Sequence, residues 1–479
     1  MNFFKVFFLH KAWAFFHLLI FIFFSAGIVC GKFFPFVLVY FILLVAISGF
    51  LIVDACFNDL LKNHDFIIIF LIGIFFLGSL AFARHSMDES RLIFNQKVNV
   101  VFKVLSYPKE NKSNNMLKVF VSEISGQRAG HEFAVFDYSR KLKYLGIYEG
   151  EVVLKKRFFH GRVFRSFWIK KNDIFVKSNM SFVDRCRMRI TEYGIDFFKG
   201  NFSKDAGVFF IAVILGRRES LGRIRTDFGY AGLAHLLAIS GLHVGVITGI
   251  IFFILRLFNL SLDRTLWITS VFLGAYVVLT GLSPSTVRAF IMWIVFFFTF
   301  ILKRKGSVFN SLGLAGFIMA LIDPGIIFQI GFQLSFVSVF SLLIAFNLSY
   351  ARRCRPGILW YIKSLFLVSL WVNIGILPII SLYFKNVYVL SVIYNIVFVP
   401  WFSLTLILGV LSVFFMPLRI LAGLCADMLC NAVHYVGGWP GTYIVYGFNF
   451  FQVILYYIIL TIIVSFAIYS NKQDVYKKN

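Results

Sequence analysis

The feature that most limits how this chain can fold is a series of apolar runs, each close to the length that crosses a bilayer. A helix needs about 20 mostly apolar residues to span the hydrocarbon layer. Only 14% of the residues are charged, whereas soluble globular chains average about 25%. These features exclude a soluble enzyme, a disordered protein and a collagen-like fibre. They predict a polytopic α-helical membrane protein with about 11–12 spans, some of them broken or re-entrant. The runs are 13–31, 35–53, 66–83, 233–256, 266–282, 286–302, 307–322, 326–348, 358–383, 388–415, 418–438 and 451–469.

A polar, basic segment at 85–180 interrupts the series of spans. Several of its runs alternate apolar and polar residues, which is typical of strands with one buried face. Glycines and an Asn-Asn pair separate these runs. The sequence therefore predicts an inserted small β-barrel domain, with an OB-like fold as the natural candidate. Another small β-domain without a role in nucleic-acid binding fits the same pattern. The predicted strands are Val98–Leu105, Met116–Ile124, His131–Tyr138, Tyr148–Lys156 and Phe167–Val176.

Basic residues predict the orientation of the spans. The densest short basic loops, 303–305 and 352–355, are separated by two spans and can both face the cytoplasm. Counting from them places the N- and C-termini in the cytoplasm and the β-domain outside a bacterial inner membrane. This count requires that 181–216, read as interfacial amphipathic helices, does not cross the bilayer. The predicted domains are 1–84 (N-terminal membrane spans), 85–180 (OB-like β-domain), 181–216, 217–470 (transmembrane domain) and 471–479 (cytoplasmic tail).

The first unusual motif places polar and small residues inside an apolar run. It holds His235, Ser240, Gly241, His243 and Gly245. Polar groups at membrane depth are costly unless protein or water satisfies them. A broken or re-entrant helix that lines a wet cavity is one interpretation. A helix–helix interface with satisfied histidines is the other.

Two further motifs follow along the chain. Pro284 suits a first helical turn, with Ser283 as its cap, and this places Arg288 one turn into a span. Arg288 then either needs a partner or water, or extends to the lipid headgroups. Gln329 and Gln333 are one turn apart, so a shared helix face is expected, either along a hydrated path or in an interhelical network.

A fourth region combines helix-breaking and polar residues. Pro378 and Pro400 predict kinked helices, and Asn373, Ser391 and Asn395 lie between them or close by.

Together, the four motifs resemble the ComEC family of competence proteins, which are membrane channels for DNA uptake in natural transformation. The matching stretches are HLLAISGLHVG (235–245), LTGLSPSTVRAFIM (279–292), DPGIIFQIGFQLSF (323–336) and the 377–400 region, within about 205–420. The resemblance implies an inner-membrane channel for inward transport of single-stranded DNA. It makes His235, Ser240, Gly241, His243, Arg288, Gln329 and Gln333 the expected channel-lining residues, with Gly245, Pro284, Pro378 and Pro400 as hinges or kinks.

The resemblance also implies partners. Many family members carry a C-terminal metallo-β-lactamase-like domain, but no H-x-H-x-D-H motif occurs in this sequence. No G-x-x-x-x-G-K-[ST] motif is present either. We therefore expect no enzymatic activity, no cofactor, no metal and no catalytic residue. Besides the lipid bilayer, the expected partners are an extracytoplasmic DNA receptor, a separate nuclease, and a cytoplasmic motor helicase or single-strand-binding protein.

Two other functions fit parts of the sequence. A transporter or flippase for another anionic polymer or lipid would also need polar groups at membrane depth, and the net charge of +25 suits any polyanion. An intramembrane serine protease would use Ser240 as the nucleophile and His243 as the base. In rhomboid-type proteases, however, the histidine lies on a distant helix.

Overall fold

The structure is a computed structural model that describes residues 20–22, 24–28, 78 and most of 97–476. Gaps within the last range are 106–108, 111–114, 125–126, 138–141, 143, 160–161, 170–175, 179–180, 302–307, 350–357 and 440–441. The predicted span 35–53, all of 66–83 except residue 78, and the two basic loops used for orientation lie outside the described residues. Of the predicted span 13–31, the structure describes 20–22 and 24–28.

The β-domain is one sheet of eight strands. The strands are β1 (Lys97–Val104), β2 (Lys109–Glu110), β3 (Asn115–Ile124), β4 (Gln127–Asp137), β5 (Ile147–Val153), β6 (Lys155–Phe159), β7 (Arg162–Ile169) and β8 (Val176–Ser178). The main path runs β6-β7-β4-β3-β1-β5-β8. The predicted run Phe167–Val176 was wrong in its limits, because β7 begins five residues earlier and ends at Ile169.

The sheet curls, because β6 at one end of the strand order follows β5, which is the second strand from the other end, directly in the chain. Strand β5 pairs with β1, and β6, only one residue further along, pairs with β7. Strands β4 and β7 are parallel, whereas the other pairs are antiparallel. Val100, Phe102 and Val119 are fully buried on the inner face. The five longest strands, β1, β3, β4, β5 and β7, form a curled core with alternating burial, which agrees with the predicted OB-like domain.

Twelve α-helices follow the β-domain within the described chain. They are α1 (Phe182–Asn201), α2 (Lys204–Leu215), α3 (Gly222–Tyr230), α4 (Gly241–Leu257), α5 (Leu262–Leu279), α6 (Pro284–Ile301), α7 (Val308–Ile322), α8 (Ile330–Ser349), α9 (Ile358–Phe384), α10 (Ser391–Leu411), α11 (Leu418–Gly437) and α12 (Phe450–Tyr476). Two 3₁₀ segments, Ala234–Leu236 and Pro324–Phe328, interrupt the series, and a short ladder joins β9 (Asn386–Val387) to β10 (Ile444–Val445).

Apolar helices dominate this part of the chain. Among the described residues, Leu262–Leu279, Lys363–Phe384, Ser391–Leu411 and Leu418–Gly437 are long and apolar enough to cross a membrane. Shorter apolar helices are Gly241–Leu257, Pro284–Phe298, Ser311–Ile322, Ile330–Ala345 and Phe450–Val464. The chain is therefore a helical membrane protein with an inserted OB-like domain, and the number of spans stays a prediction.

Helix α2 lies in the main hydrophobic core of the helical part. Eight of its 12 residues are buried, and Phe209 packs edge-to-face on Phe402 with ring centroids 5.9 Å apart. A β-carbon on Gly409 would collide with the Phe210 ring, so glycine lets α10 approach α2 closely. The run Ala206–Gly216 is thus a short core helix, and the interfacial position of 181–216 stays a prediction.

Pro378 lies inside α9, where a proline cannot donate to the carbonyl four residues earlier. That carbonyl belongs to Ile374, and the Tyr456 hydroxyl donates to it at 2.9 Å. The neighbouring Tyr457 hydroxyl donates to Gly375 O at 2.9 Å. Two adjacent tyrosines of α12 therefore satisfy backbone groups at the proline, as apolar surroundings require.

We predict that Tyr456→Phe destabilises the protein by about 1 kcal/mol, because it leaves the Ile374 carbonyl without its donor. In a Pro378→Ala background the loss should be smaller, since residue 378 then has an N–H that can bond Ile374. Thermal unfolding of the detergent-solubilised single and double variants measures this coupling. Equal losses in both backgrounds would contradict the assignment.

Candidate functional site

The first motif is a break between helices. Gly232 has a left-handed φ of +71°, and a β-carbon there would lie 2.9 Å from Tyr388 Cβ. A single 3₁₀ turn, Ala234–Leu236, follows, and Ser240 is extended before α4 begins at Gly241. The predicted break therefore lies before Gly241. Helix α4 continues through Gly245, which has no close neighbour among the described residues.

Ser240 and His243 cap the start of α4. The Ser240 hydroxyl accepts the Leu242 N–H at 3.2 Å, and His243 Nδ1 accepts the Ser240 N–H at 3.2 Å. This reciprocal arrangement is a capping box. His243 is fully buried, and its ring packs on Phe402 with centroids 5.1 Å apart. Its Nε2 is buried, and the backbone of Leu236 lies next to the ring.

Ser240 and His243 are also the residues that an intramembrane serine protease would use as nucleophile and base. Ser240 Oγ and His243 Nδ1 are 3.0 Å apart, a distance that a nucleophile and a base also need. The groups that act electrostatically on His243 are His235 and Arg218, neither of which is a carboxylate. The capping box explains why Ser240 and His243 lie within hydrogen-bond distance. Labelling of Ser240 by a fluorophosphonate would test whether it is also a nucleophile.

Arg288 is buried at the centre of the site. Helix α6 begins at Pro284, and Ser283 Oγ accepts the Thr286 N–H at 3.4 Å, as expected for a capped Ser-Pro start. Arg288 is 5% exposed, and its guanidinium lies 5.6 Å from the centre of the Phe336 ring. Among the described residues its Nε and Nη1 have no hydrogen-bond partner.

Arg288 joins three of the four motifs. Its Nη2 lies 3.5 Å from the position that a β-carbon would take on Gly241, at the start of α4. Phe336 belongs to the third motif, and one turn earlier Ser285 and Ser335 form a hydroxyl pair at 3.2 Å. Motifs that are up to 95 positions apart in sequence therefore surround one guanidinium.

The glutamines do not lie on one helix face, so that prediction was wrong. Gln329 has extended backbone between the 3₁₀ turn and α8, which begins at Ile330. It is exposed. Gln333 lies in the first turn of α8, and its amide donates to Ile327 O at 3.0 Å. Gln333 thus satisfies the 3₁₀ turn, whereas Gln329 is accessible.

The fourth region forms a polar network between α9 and α10. Ser391 Oγ donates to Asn373 Oδ1 at 2.9 Å, and Asn395 Nδ2 donates to Ser369 Oγ at 3.1 Å. Pro400 lies inside α10, as Pro378 does in α9. This network matches the interhelical hydrogen bonds that membrane proteins use.

Sequence analysis missed a group of arginines beside the first motif. Arg217 and Arg218 follow Gly216, the C-cap of α2, and the Arg217 guanidinium lies 4.1 Å from the centre of the Tyr144 ring in the β-domain. Arg187 lies over the same ring at 5.8 Å and donates to Leu279 O at 3.2 Å. The Arg-Arg pair after an apolar run was the available signal.

The β-domain therefore sits next to the site. Its Lys103 pairs with Asp184 of α1 at 2.6 Å, so an ion pair joins the two parts. The turn after α2 also meets the first two motifs, because a β-carbon on Gly216 would contact Ile239 and Thr280. In the described part of the chain, no group of three or more His, Cys, Asp or Glu residues could hold a metal.

We predict that His243→Ala lowers the unfolding temperature, because it removes a cap worth about 1 kcal/mol and leaves a buried void. His243→Gln should stay near wild-type stability, since Gln is a standard partner in a capping box. Thermal unfolding in detergent distinguishes the two variants. A Gln variant as unstable as the Ala variant would show that capping is not the role of this side chain.

The sequence that forms this site is similar to known competence proteins. The family model described as "Competence protein" matches residues 213–469. ComE operon protein 3 of Bacillus subtilis (strain 168) is 31% identical over 189 residues, which are 40% of this chain and 24% of that protein. The chain thus aligns with about a quarter of that relative's length. No solved structure matches the chain. Because the family model covers more than half of the sequence and includes Arg288, His243 and their neighbours, the chain belongs to the ComEC family of competence proteins.

Proposed function

We propose that this protein is an inner-membrane channel for the inward transport of single-stranded DNA during natural transformation. Membership of the competence family supports a role in DNA uptake. The Bacillus subtilis relative is named ComE operon protein 3, and its similarity to this chain supports the same role. We further propose that the protein forms the transport path, that the strand carried is single, and that it moves inward.

The buried Arg288 guanidinium is the observation that carries the proposal. A charge with unpartnered donors inside an apolar body is costly, so it is retained where it meets water or an anion. Phosphate oxygens are preferred acceptors for guanidinium. At this position, Arg288 can act on a phosphate that passes between α4, α6 and α8 when these helices separate.

Other cations extend from Arg288 toward the β-domain. Arg187 donates to Leu279 O in the second motif, Arg217 shares the Tyr144 ring with Arg187, and Arg218 lies close enough to His243 of the first motif to act on it electrostatically. The carboxyl oxygen Oε2 of Glu219 is buried close to Arg218 and partly offsets this charge. A succession of cations suits a polyanion better than a single anion, because each phosphate can exchange one partner for the next.

The β-domain, which we place outside the membrane, would collect the strand. The proposal also keeps the expected partners: an extracytoplasmic DNA receptor, a separate nuclease, and a cytoplasmic motor helicase or single-strand-binding protein. Both termini would be cytoplasmic. The chain itself would supply the path and no chemical step.

We predict that Arg288→Gln lowers chromosomal transformation about tenfold or more, because a charge-assisted bond to phosphate contributes about 1.5–3 kcal/mol. Arg288→Lys keeps the charge and should retain part of the activity. Transformants are counted in a strain in which the variant is the only copy, with protein level measured in membranes.

Arg419→Gln is the matched control. The Arg419 guanidinium has partners of its own, Asn201 Oδ1 at 2.8 Å and Ser412 O at 3.3 Å, and lies over Phe197. Removing it should leave transformation near wild type at equal protein level. The proposal is wrong if Arg288→Gln transforms normally, or if both variants lose activity in proportion to a loss of protein.

A flippase for an anionic lipid would also use a buried guanidinium. We predict that the purified full-length chain binds single-stranded DNA and that binding weakens steeply with salt, because cations displace counterions from phosphates. The affinity is measured in nanodiscs across a salt series. Absence of DNA binding, together with lipid transfer between leaflets of a reconstituted vesicle, would favour the flippase.

A further inference from the structure

Three tyrosines from three separate segments meet at the end of α3. Tyr230 ends that helix, Tyr388 lies between β9 and α10, and Tyr443 directly precedes β10. The rings of Tyr230 and Tyr443 are stacked, with centroids 5.9 Å apart and planes 11° from parallel. Tyr388 packs against Tyr443 with centroids 6.1 Å apart. We call these three residues the tyrosine shelf.

The shelf is open at one end. Tyr230 is 51% exposed, whereas Tyr388 and Tyr443 are half-buried. The inner rings are therefore held by protein, and the outer ring has surface left for a ligand. A fixed ring with a free face loses little conformational entropy when another flat ring stacks on it.

The backbone around the shelf is well defined. The β9–β10 ladder, in which Val387 pairs with Ile444, places the residues next to Tyr388 and Tyr443 side by side. Gly232, with its left-handed φ, lets the first motif lie directly against Tyr388. The shelf is thus in contact with the chain segment that leads into the break before α4.

Cations lead from the shelf to the site. Helix α3 carries Arg225, which lies near enough to Arg218 to act on it electrostatically, and Arg218 in turn acts on His243. The opposing charge on α3 is Asp227, which already bonds Arg223 at 3.3 Å and His434 at 3.0 Å. A chain of phosphates along α3 would therefore meet arginines while its bases face the tyrosines.

We propose that the tyrosine shelf is a base-stacking subsite for single-stranded nucleic acid at the mouth of the path. This inference rests on the proposed function and names the part of the ligand that this surface binds. Stacking on aromatic rings is tolerant of sequence because every base has a π-face. The predicted orientation places the loops 384–391 and 437–450 outside, where an incoming strand arrives.

The test uses the full-length chain in nanodiscs and two labelled probes of equal length. One probe is an oligothymidylate, and the other is an abasic oligodeoxynucleotide with the same phosphates and no bases. The double variant Tyr230→Leu, Tyr443→Leu stays apolar and removes the π-faces. It should weaken oligothymidylate binding about tenfold and leave the abasic probe unchanged. The variant Tyr230→Phe, Tyr443→Phe keeps the rings and should bind both probes like wild type.

Two controls separate the outcomes. Tyr435 and Trp439 form another aromatic pair at the end of α11, with centroids 5.8 Å apart and exposed fractions of 69% and 48%. Their replacement by leucine tests a general membrane-interface belt and should not change oligothymidylate binding. Arg288→Gln should weaken both probes, because it acts on phosphate.

The possible results distinguish failure of the stacking subsite from failure of the proposed function. Equal affinity of the leucine double variant and wild type for oligothymidylate overturns the stacking subsite and leaves the proposed function standing. Equal loss for both probes, or a loss as large in the phenylalanine variant, also overturns it. Wild-type protein that binds neither probe overturns the proposed function and the subsite with it.

Discussion

The arrangement of the helices around the site depends on one guanidinium that is buried inside an apolar helical body. Arg288 is buried against Phe336 and against the start of the helix at Gly241. Ser240 is extended, and α4 begins at Gly241, where Arg288 Nη2 lies 3.5 Å from the position that a β-carbon would take. The break between helices and the buried charge are therefore in direct contact.

Broken helices create a second requirement, since each break frees backbone groups that lipid cannot satisfy. Side chains from elsewhere supply the missing bonds. Tyr456 donates to the carbonyl freed by Pro378, Gln333 donates to the 3₁₀ turn before α8, and Arg187 donates to the end of α5. Some polar side chains in the apolar runs thus satisfy backbone groups, and others, such as Ser391 and Asn373, satisfy one another. Arg288 differs from both, because among the described residues its Nε and Nη1 have no partner.

The β-domain is part of the same arrangement. Tyr144 lies over Arg217 and Arg187, and Lys103 pairs with Asp184. These contacts place the domain at the end of the helical body where the first two motifs meet. The tyrosine shelf lies against the first motif from another direction. Cations and aromatic rings, the two kinds of group that a single strand requires, are therefore both close to one break in the chain.

The sequence by itself determined the class of protein, the inserted β-domain, the start of α6 at Pro284 and the break in the helix within the motif 235–245. These features follow from local rules: apolar length, alternation and helix capping. Only the tertiary structure decided that Gln329 lies outside a helix, that His243 caps α4, and that Arg217 and three distant tyrosines lie beside the site. The physical reason is that capping and apolar length act between neighbours in sequence, whereas the partner of a buried polar group is chosen by packing between helices far apart in the chain.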